Sequence, residues 1–537
     1  MGKDKRAASI EEGGGLPPVD STGVPNLDEV LGGGLPRGAL VLIVGPPGSG
    51  KTTLANQMAF AAARAGRRVL ILTALSEPTN KLIAHLRSFR FFEEDLIGDT
   101  IQVLSLQQFL TQGLDSTADG LLEMARQTRA RLVVLDGFRG VRGADSDPQA
   151  GRQFLYDIGA ALSIQGTTAI ITSESTPRDA TLFPEATAAD ALIGLHYDLQ
   201  GARQQRVIEA IKVRGAAPLS GLHSLTLGPD GAVVHPRIEA RVARDEGGIE
   251  LELRSHDSQG ASADVLGERE RASFGLEELD RLLGGGLTRE TITVVAGSLG
   301  TGKTLLALHF ALAGVRREEP VLFLGFRENL RQLLLTADTF DLGLREALAP
   351  GAGLTLLRLP PVELDPDVLA NRLITTLDNI GARRLVIDSV TELERGVLRG
   401  GDPGRVDDYL AALVEALRAR AVTTLAVRES PKIVTSDFDV SADTLSMLAE
   451  NVLLLQQVTY RDRLHRVLSV PKMRFSAHDV LLREFRIVPP AGIEVLAPLD
   501  SGVEALTGIA RQQGQPTVDN APSGDDDVRT SMARVTP

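Results

Sequence analysis

The feature that most constrains this chain is a long internal repeat. Residues 21–54 read STGVPNLDEVLGGGLPRGALVLIVGPPGSGKTTL, and residues 273–306 read SFGLEELDRLLGGGLTRETITVVAGSLGTGKTLL. Every position in the second copy carries a number 252 higher than its counterpart, with no gap. Chance does not hold a register over such a stretch, so the sequence indicates two duplicated domains.

The composition between and around the two copies predicts the domain boundaries. Polar, charged or Gln/Pro/Asp-rich stretches bury too little apolar surface to fold, so we expect the two tails to be disordered. The predicted segments are a tail at 1–18, a first domain at 19–245, a linker at 246–270, a second domain at 271–500 and a tail at 501–537.

Apolar segments typical of buried strands alternate with segments typical of helices in both halves. The strand-like segments of the first half include ALVLIVG, RRVLILTAL, RLVVLDGF and TTAIITSES, and the second half repeats them as TITVVAG, PVLFLGF, RRLVIDSV and VTTLAVRES. Nearly continuous apolar strands with helices between them indicate a parallel sheet covered on both faces. The predicted fold is therefore α/β, with two tandem domains, each a mainly parallel sheet flanked by helices.

A phosphate-binding loop, G-x-x-x-x-G-K-[ST], occurs once in each half, after a predicted strand and at the start of a predicted helix. Its backbone N–H groups and the helix N-terminus favour the phosphates of ATP, and its lysine reaches the β- and γ-phosphates. The predicted nucleotide ligands are Gly45, Gly48, Ser49, Gly50, Lys51, Thr52 and Thr53, and in the second half Gly297, Gly300, Thr301, Gly302, Lys303, Thr304 and Leu305.

A carboxylate at the end of a later strand is needed to hold the Mg²⁺ that accompanies ATP. Asp136 ends the segment RLVVLD, and Asp388 ends RLVID. Ligands bind at this edge of parallel sheets, so the sequence predicts metal sites formed with Thr52 and Thr304. The alternative for each aspartate is a helix N-cap.

Hydrolysis also requires a group that orients or deprotonates water. Glu77 and Glu328 end equivalent predicted strands and are the candidates for this role, together with the phosphate-loop lysines. The alternative is a solvated loop carboxylate. Glu174 and Glu429 recur at the end of another strand, where a nucleotide-sensing or capping role is open.

Several of these segments together resemble the KaiC family, the RecA-like ATPases of bacterial circadian systems and their non-clock relatives. The resemblance covers about residues 18–500 and is strongest at LDEVLGGGLPRG, GTGKTLL, IDSV, IKVRG and PKMRFSAHD. It implies a RecA-like fold in each half, a homohexameric double ring and ATP at the subunit interfaces.

The resemblance also assigns a role to two Lys-x-Arg pairs. In the family such a pair reaches the γ-phosphate bound by the neighbouring subunit. Lys212 and Arg214, and Lys472 and Arg474, match it in segments that read as strands. Alone the pattern is weak, because an exposed strand face also carries such residues.

Two positions depart from the family pattern. The family has two adjacent glutamates at the strand end, and the first is replaced here by Ser76 in one half and Arg327 in the other. This change suggests slow hydrolysis or a structural role for the nucleotide. Clock members also carry adjacent Ser and Thr before the last strands of the second domain. Ser446 matches the serine and is a candidate phosphosite, but Met447 replaces the threonine, with Thr444 nearby.

The bulk composition narrows the function further. The net charge of −13 and the 4% aromatic content argue against nucleic-acid binding across the surface. There is no apolar run of about 20 residues and no apolar leader at the start, so we expect a cytoplasmic protein without a membrane span. Cysteine is absent, which excludes disulfides and cysteine-based metal sites.

The sequence therefore favours a KaiC-like hexameric ATPase that uses ATP and Mg²⁺. We expect it to act in signalling or timing, with protein partners that the sequence does not name. Autophosphorylation at Ser446 is one hypothesis for the second domain, and the alternative is that Ser446 is an ordinary helix or loop serine. Two alternatives remain open, a RecA/RadA-like DNA-dependent ATPase and a nucleotide-gated scaffold of low turnover. Both share the fold and the phosphate loops, so these features do not separate them.

Overall fold

The structure is a computed structural model of the whole chain. The residues it describes are 18–73, 79–106, 114–138, 148–175, 184–200, 202–244, 270–429, 444–460, 463–476, 478–479 and 481–498. The predicted tails and linker therefore lie almost entirely outside the described residues, and the domain boundaries stay predictions.

The first domain is built on a sheet of nine strands within the described residues, in the order β11-β10-β9-β8-β3-β7-β6-β4-β5. The strands of this domain are β1 Val19–Asp20, β2 Leu35–Pro36, β3 Leu40–Gly45, β4 Val69–Thr73, β5 Ile101–Ser105, β6 Leu132–Leu135, β7 Thr168–Glu174, β8 Ala191–Gln200, β9 Arg203–Val213, β10 His223–Gly228 and β11 Gly231–His235. Strands β1 and β2 form a separate two-stranded sheet. Its helices are α1 Leu27–Val30, α2 Lys51–Arg64, α3 Thr79–Leu86, α4 Leu114–Thr128, α5 Pro148–Ile164 and α6 Pro184–Ala188.

The second domain repeats this architecture, with the sheet order β16-β15-β17-β18-β14-β19-β20-β21-β22 among the residues that the structure describes. Its strands are β12 Arg271–Ala272, β13 Leu287–Thr288, β14 Ile292–Gly297, β15 Val321–Gly325, β16 Leu354–Arg358, β17 Arg384–Asp388, β18 Thr423–Glu429, β19 Asn451–Tyr460, β20 Arg463–Met473, β21 Arg483–Val488 and β22 Gly492–Pro498. Its helices are α7 Glu277–Leu282, α8 Lys303–Val315, α9 Leu330–Thr339, α10 Leu344–Ala347, α11 Pro366–Ile380, α12 Val390–Leu398, α13 Arg405–Arg418 and α14 Thr444–Leu448.

The centre of each sheet is parallel and buried on both faces. Strands β3 and β14 are buried along their whole length, and each pairs in parallel with a strand on either side. The helices α2 and α8 follow these strands and pack on the sheet with apolar side chains. The predicted α/β fold with two tandem RecA-like domains is confirmed.

One edge of each sheet turns antiparallel. In the first domain β8 pairs with β9, β9 with β10 and β10 with β11 in antiparallel fashion, and β19 to β22 repeat this arrangement in the second domain. Because β9 and β20 run against the parallel strands, their last residues lie at the end of the sheet opposite the phosphate loops.

The two domains contact each other directly through polar side chains. Arg405 of the second domain pairs with Glu239 of the first at 2.8 Å and also with Asp367 of its own domain. Ser224 of the first domain donates to Asp365 of the second across 3.1 Å. Burial raises the pKa of Asp367 to about 7, although Arg405 opposes this shift.

No helix among the described residues is long and apolar enough to cross a bilayer.

Candidate active sites

Both phosphate loops form the turn between a buried strand and a buried helix. In each loop the glycine before the lysine caps the helix with a positive φ, 104° at Gly50 and 93° at Gly302, a conformation that glycine adopts without strain. A Cβ on Gly45 would lie 2.6 Å from the Leu195 carbonyl oxygen, so only glycine fits at the strand end. The loops therefore have the compact turn that lets backbone N–H groups face a phosphate.

The loop lysines are buried and turned back onto their own loops. The Lys51 amino group donates to the carbonyls of Gly45 and Pro46, each at 2.9 Å, and the Lys303 amino group donates to the Ser298 carbonyl at 2.7 Å. Burial lowers the pKa of both amino groups. A phosphate would offer these cations a stronger partner than a carbonyl oxygen.

The predicted metal residues lie together in both domains. The Thr304 hydroxyl donates to Asp388 across 2.7 Å, and the Thr52 hydroxyl donates to Asp136 across 3.2 Å. Burial raises the pKa of both carboxyls. A divalent cation would offset the free-energy cost of burying the charged carboxylates. A hydroxyl next to a carboxylate is also a set of ligands that suits Mg²⁺. The residues present therefore fit the metal that a phosphate loop requires.

Thr172 is a further partner of the first aspartate, at 2.5 Å from Asp136. It lies in β7, next to the strand that Asp136 follows. The register of the second domain puts Val427 at the equivalent place, because Thr172 pairs with Ile43 and Val427 with Val295. The two predicted metal sites therefore differ in how firmly hydrogen bonds fix the aspartate.

The candidate base of the second site lies beside the metal residues. One carboxylate oxygen of Glu328, Oε2, is buried with no hydrogen-bond partner. Burial raises the pKa of Glu328, and the negative charge of Asp388 raises it further. A partly dehydrated carboxylate with a spare acceptor is suited to take a proton from water. Its counterpart Glu77, and Ser76 with it, lie outside the described residues.

Glu174 and Glu429 lie against the phosphate loops. In the strand registers Glu174 pairs with Gly45, and Glu429 pairs with Gly297, the first glycine of each loop. The negative charge of each glutamate raises the pKa of the loop lysine in its own domain, whereas burial lowers it. They therefore belong to the electrostatic surroundings of the phosphates.

The Lys-x-Arg pairs lie at the other end of the sheet from the phosphate loop of their own domain. Lys212 pairs with Leu192 of β8, which pairs with Leu42 of β3. Gly45 is three residues further along β3, about 10 Å away, and the pair also lies two strands to the side. The Lys212 amino group donates to the Ala189 carbonyl at 2.6 Å.

The second domain repeats this separation. Lys472 pairs with Val452, which pairs with Val294, the third residue of β14, whereas Gly297 is the last. The next arginines, Arg214 and Arg474, lie beyond the ends of β9 and β20 and are exposed. The structure does not bring either Lys-x-Arg pair to the nucleotide loop of its own domain.

The candidate phosphosite lies beside the second Lys-x-Arg pair. Ser446, in α14, is 1% exposed, whereas Met447 is 55% exposed. The Lys472 amino group donates to the carbonyls of both residues, at 3.0 and 2.9 Å. The Thr444 hydroxyl donates to Asp407 across 2.5 Å.

The sequence did not reveal several residues that line the first site. A cavity of about 420 Å³ at the first phosphate loop is also lined by His85, Phe89 and Leu227. Leu227, near the end of β10, would contact a Cβ on Gly50 at 2.8 Å, and Ile487 has the same relation to Gly302. Only the sheet order, which the sequence does not state, places the outer hairpin next to the loop.

The comparisons with known proteins agree with this geometry. A family model described as ATPase: KaiC matches residues 20–239 and 272–500, one match per domain. The chain belongs to the KaiC ATPase family. It is 27% identical over 517 residues to circadian clock protein KaiC3 of Synechocystis, which covers 93% of this chain and 95% of that protein.

Other KaiC-family relatives show a similar distance. The circadian clock oscillator protein KaiC of Picosynechococcus is 26% identical over 476 residues, covering 86% of this chain and 87% of the relative. The protein of the same name from Synechococcus elongatus is 24% identical over 477 residues, with 87% of each chain covered. The chain is a divergent KaiC-like ATPase with the nucleotide loops of the family in both domains.

Proposed function

We propose that this chain hydrolyses ATP as a homohexamer, in which each nucleotide lies between two subunits, and that it acts in signalling or timing. The observation that carries the proposal is the separation between each phosphate loop and the Lys-x-Arg pair of its own domain. A pair that does not reach its own loop is suited to serve the loop of a neighbour. Cations there would neutralise the charge that develops as the γ-phosphate leaves.

The chain's own residues divide the chemistry between them. The loop backbone and Lys51 or Lys303 bind the phosphates, and Thr52 with Asp136, or Thr304 with Asp388, would hold Mg²⁺. The metal, when bound, draws charge from the phosphate oxygens. Glu328 accepts a proton from the attacking water in the second site, and Glu77 has this role in the first. Each site is then completed by Lys212 and Arg214, or by Lys472 and Arg474, of the next subunit.

Mixed oligomers test the shared site. One chain carries Lys51→Ala and Lys303→Ala, which disable its own loops but keep both Lys-x-Arg pairs. The other carries Lys212→Ala and Lys472→Ala, which keep the loops. Each chain alone should hydrolyse ATP slowly, and the mixture should recover part of the parental rate because some interfaces are complete.

The control is a mixture in which the second chain carries the exposed Lys81→Ala instead. Native mass spectrometry with a non-hydrolysable ATP analogue gives the oligomer size and shows that the chains mix. If well-mixed oligomers recover no activity, or if the active species is a monomer, the shared site is wrong.

Autophosphorylation of Ser446 is a second candidate function. The observation that favours it is the contact of Lys472 with the backbone of Ser446, which puts the serine beside a group proposed to bind the neighbour's γ-phosphate. Intact-mass measurement after incubation with ATP should show one added phosphate that Ser446→Ala removes. No mass gain, or a gain that survives the substitution, would reject this site.

The remaining alternatives predict different kinetics. Strong stimulation of ATP hydrolysis by single-stranded DNA would favour the DNA-dependent motor over the signalling protein. Nucleotide that stays bound without turnover would favour the scaffold. Because DNA binding relies on positive charge, the net negative charge of this chain supports the signalling protein. We therefore expect DNA to leave the rate of ATP hydrolysis unchanged.

A further inference from the structure

Arg327, which follows β15, links helix α12 to the end of β18 beside the second phosphate loop. Its Nε and Nη2 atoms donate to Glu392 at 2.8 and 2.6 Å, while Nη1 donates to Glu429 at 2.5 Å. Glu392 lies in α12, just after Asp388 of β17, and Glu429 ends β18. One guanidinium therefore binds two carboxylates next to the phosphate site.

Those carboxylates carry negative charge where a polyphosphate would bind. Glu429 exerts the strongest attraction of any charged group on Lys303, ahead of Asp388, whereas Arg327 acts on Lys303 with the opposite sign. Glu392 is only 5% exposed, and Arg395 is its other basic partner. Without a cation at position 327, the charge of Glu429 would be uncompensated. Glu429 would then attract Lys303 and repel a phosphate more strongly.

The first domain offers an internal comparison. Glu174 has the place of Glu429 and attracts Lys51 in the same way. In the family pattern of two adjacent glutamates, the residue at the place of Arg327 is Ser76, which carries no charge. The two sites therefore differ by one positive charge at the first position of this pattern.

We propose that Arg327 is a positioning residue of the second site, which neutralises Glu429 so that Lys303 is available to the nucleotide phosphates. The proposal rests on nucleotide binding at the second loop, as proposed above. Arg327 acts through Glu429 and Lys303 rather than by touching the phosphate. Its consequence is tight retention of nucleotide in the second site.

The test measures nucleotide affinity at the second site alone. All variants carry Lys51→Ala, which silences the first loop, and are titrated with a fluorescent non-hydrolysable ATP analogue and Mg²⁺. Arg327→Ser, which installs the residue of the first domain, should weaken binding about tenfold or more. Arg327→Lys keeps the charge and should bind within about threefold of the parent.

A double substitution separates the indirect role from a direct one. Glu429→Gln removes the charge that Arg327 neutralises, so Arg327→Ser with Glu429→Gln should return to within about threefold of the parent affinity. A double variant as weak as Arg327→Ser alone would mean that Arg327 binds phosphate itself, and the positioning role would be wrong. Parental affinity in Arg327→Ser would also overturn it.

Controls distinguish loss of the fold and loss of the site. Arg331→Ser replaces a nearby exposed arginine in α9 and should bind as the parent does. Without nucleotide, Arg327→Ser and the double variant should have the same melting temperature. Restored nucleotide binding in the double variant then does not come from restored folding. If the parent binds no nucleotide, or if Lys303→Ala changes nothing, both proposals fail. If Lys303→Ala abolishes binding and Arg327→Ser does not weaken it, only the role of Arg327 fails.

Discussion

The hydroxyl of Thr304 donates a hydrogen bond to Asp388 across 2.7 Å, at the junction of the second phosphate loop and β17. Asparagine at position 388 would keep the acceptor and lose the charge. Asp388→Asn in a Lys51→Ala chain should therefore fold normally and lower Mg²⁺-dependent ATP hydrolysis about 100-fold or more, because metal binding needs the carboxylate. Steady-state hydrolysis across a Mg²⁺ titration checks this, with the exposed Asp341→Asn as the matched control. An unchanged Mg²⁺ dependence would contradict the metal site.

Glu328→Gln tests the base of the second site. In the same Lys51→Ala chain we expect the rate constant for hydrolysis to fall by a factor on the order of 100 to 10,000, while nucleotide affinity changes little. The control is Glu346→Gln, an exposed glutamate of α10. A rate within a factor of about two of the parent would remove Glu328 from the mechanism.

The pH profile of the second site follows from the same residue. Burial and the charge of Asp388 raise the pKa of Glu328. A base works only when ionised, so activity should be full above its folded pKa and fall as the pH drops through it. The acid limb of kcat should thus lie above the usual glutamate range and disappear in Glu328→Gln. A limb that stays in the variant belongs to another group.

Nucleotide stoichiometry tests the independence of the two loops. The parent chain should retain two nucleotides, and Lys51→Ala or Lys303→Ala should each remove one, because each lysine is buried in its own loop. Equilibrium dialysis with labelled ATP analogue measures the count. Variants that both keep two nucleotides would show that these lysines do not hold the phosphates.

The contact between the domains should depend on pH through Asp367. Burial raises its pKa to about 7 in the folded chain, from an ordinary value of 3.8. The folded state therefore binds the proton more tightly than the unfolded state. The contribution of this group to stability is fully present below about pH 4 and is lost as the pH rises through about 7.

Asp367→Asn mimics the protonated form and should flatten that dependence. Each unit of pKa shift corresponds to about 1.4 kcal/mol, so the difference between pH 5 and pH 8 is large enough to measure by urea unfolding. The exposed Asp119→Asn serves as control. An equal pH dependence in the parent and in Asp367→Asn would assign the proton to another group at the interface. That group would be Glu239 or His235, which face the same cluster.

Local patterns in the sequence predicted much of the fold and of the sites. The loops, the buried strands and Asp388 at a strand end follow from runs of a few residues, because periodicity and glycine placement act locally. The internal repeat then fixed the number of domains. These features need no knowledge of which strand lies beside which.

Contacts across the sheet were not predictable. The position of Thr172 beside Asp136 depends on the register between β6 and β7. Arg327 meets Glu392 and Glu429, which are 65 and 102 residues away in sequence. Such contacts depend on the order of the strands and on which side chains still lack partners after packing. A local stretch of sequence determines neither of these.

Each Lys-x-Arg pair lies far from the phosphate loop of its own domain, and this has a consequence for inheritance. In the shared site proposed above, a chain that carries Lys212→Ala would harm the site of its neighbour and leave its own loop intact. In a cell that makes both forms, normal chains would assemble with altered ones, and some of the defective sites would contain only normal loops. The share of defective sites in such mixed rings would rise with the share of altered chains.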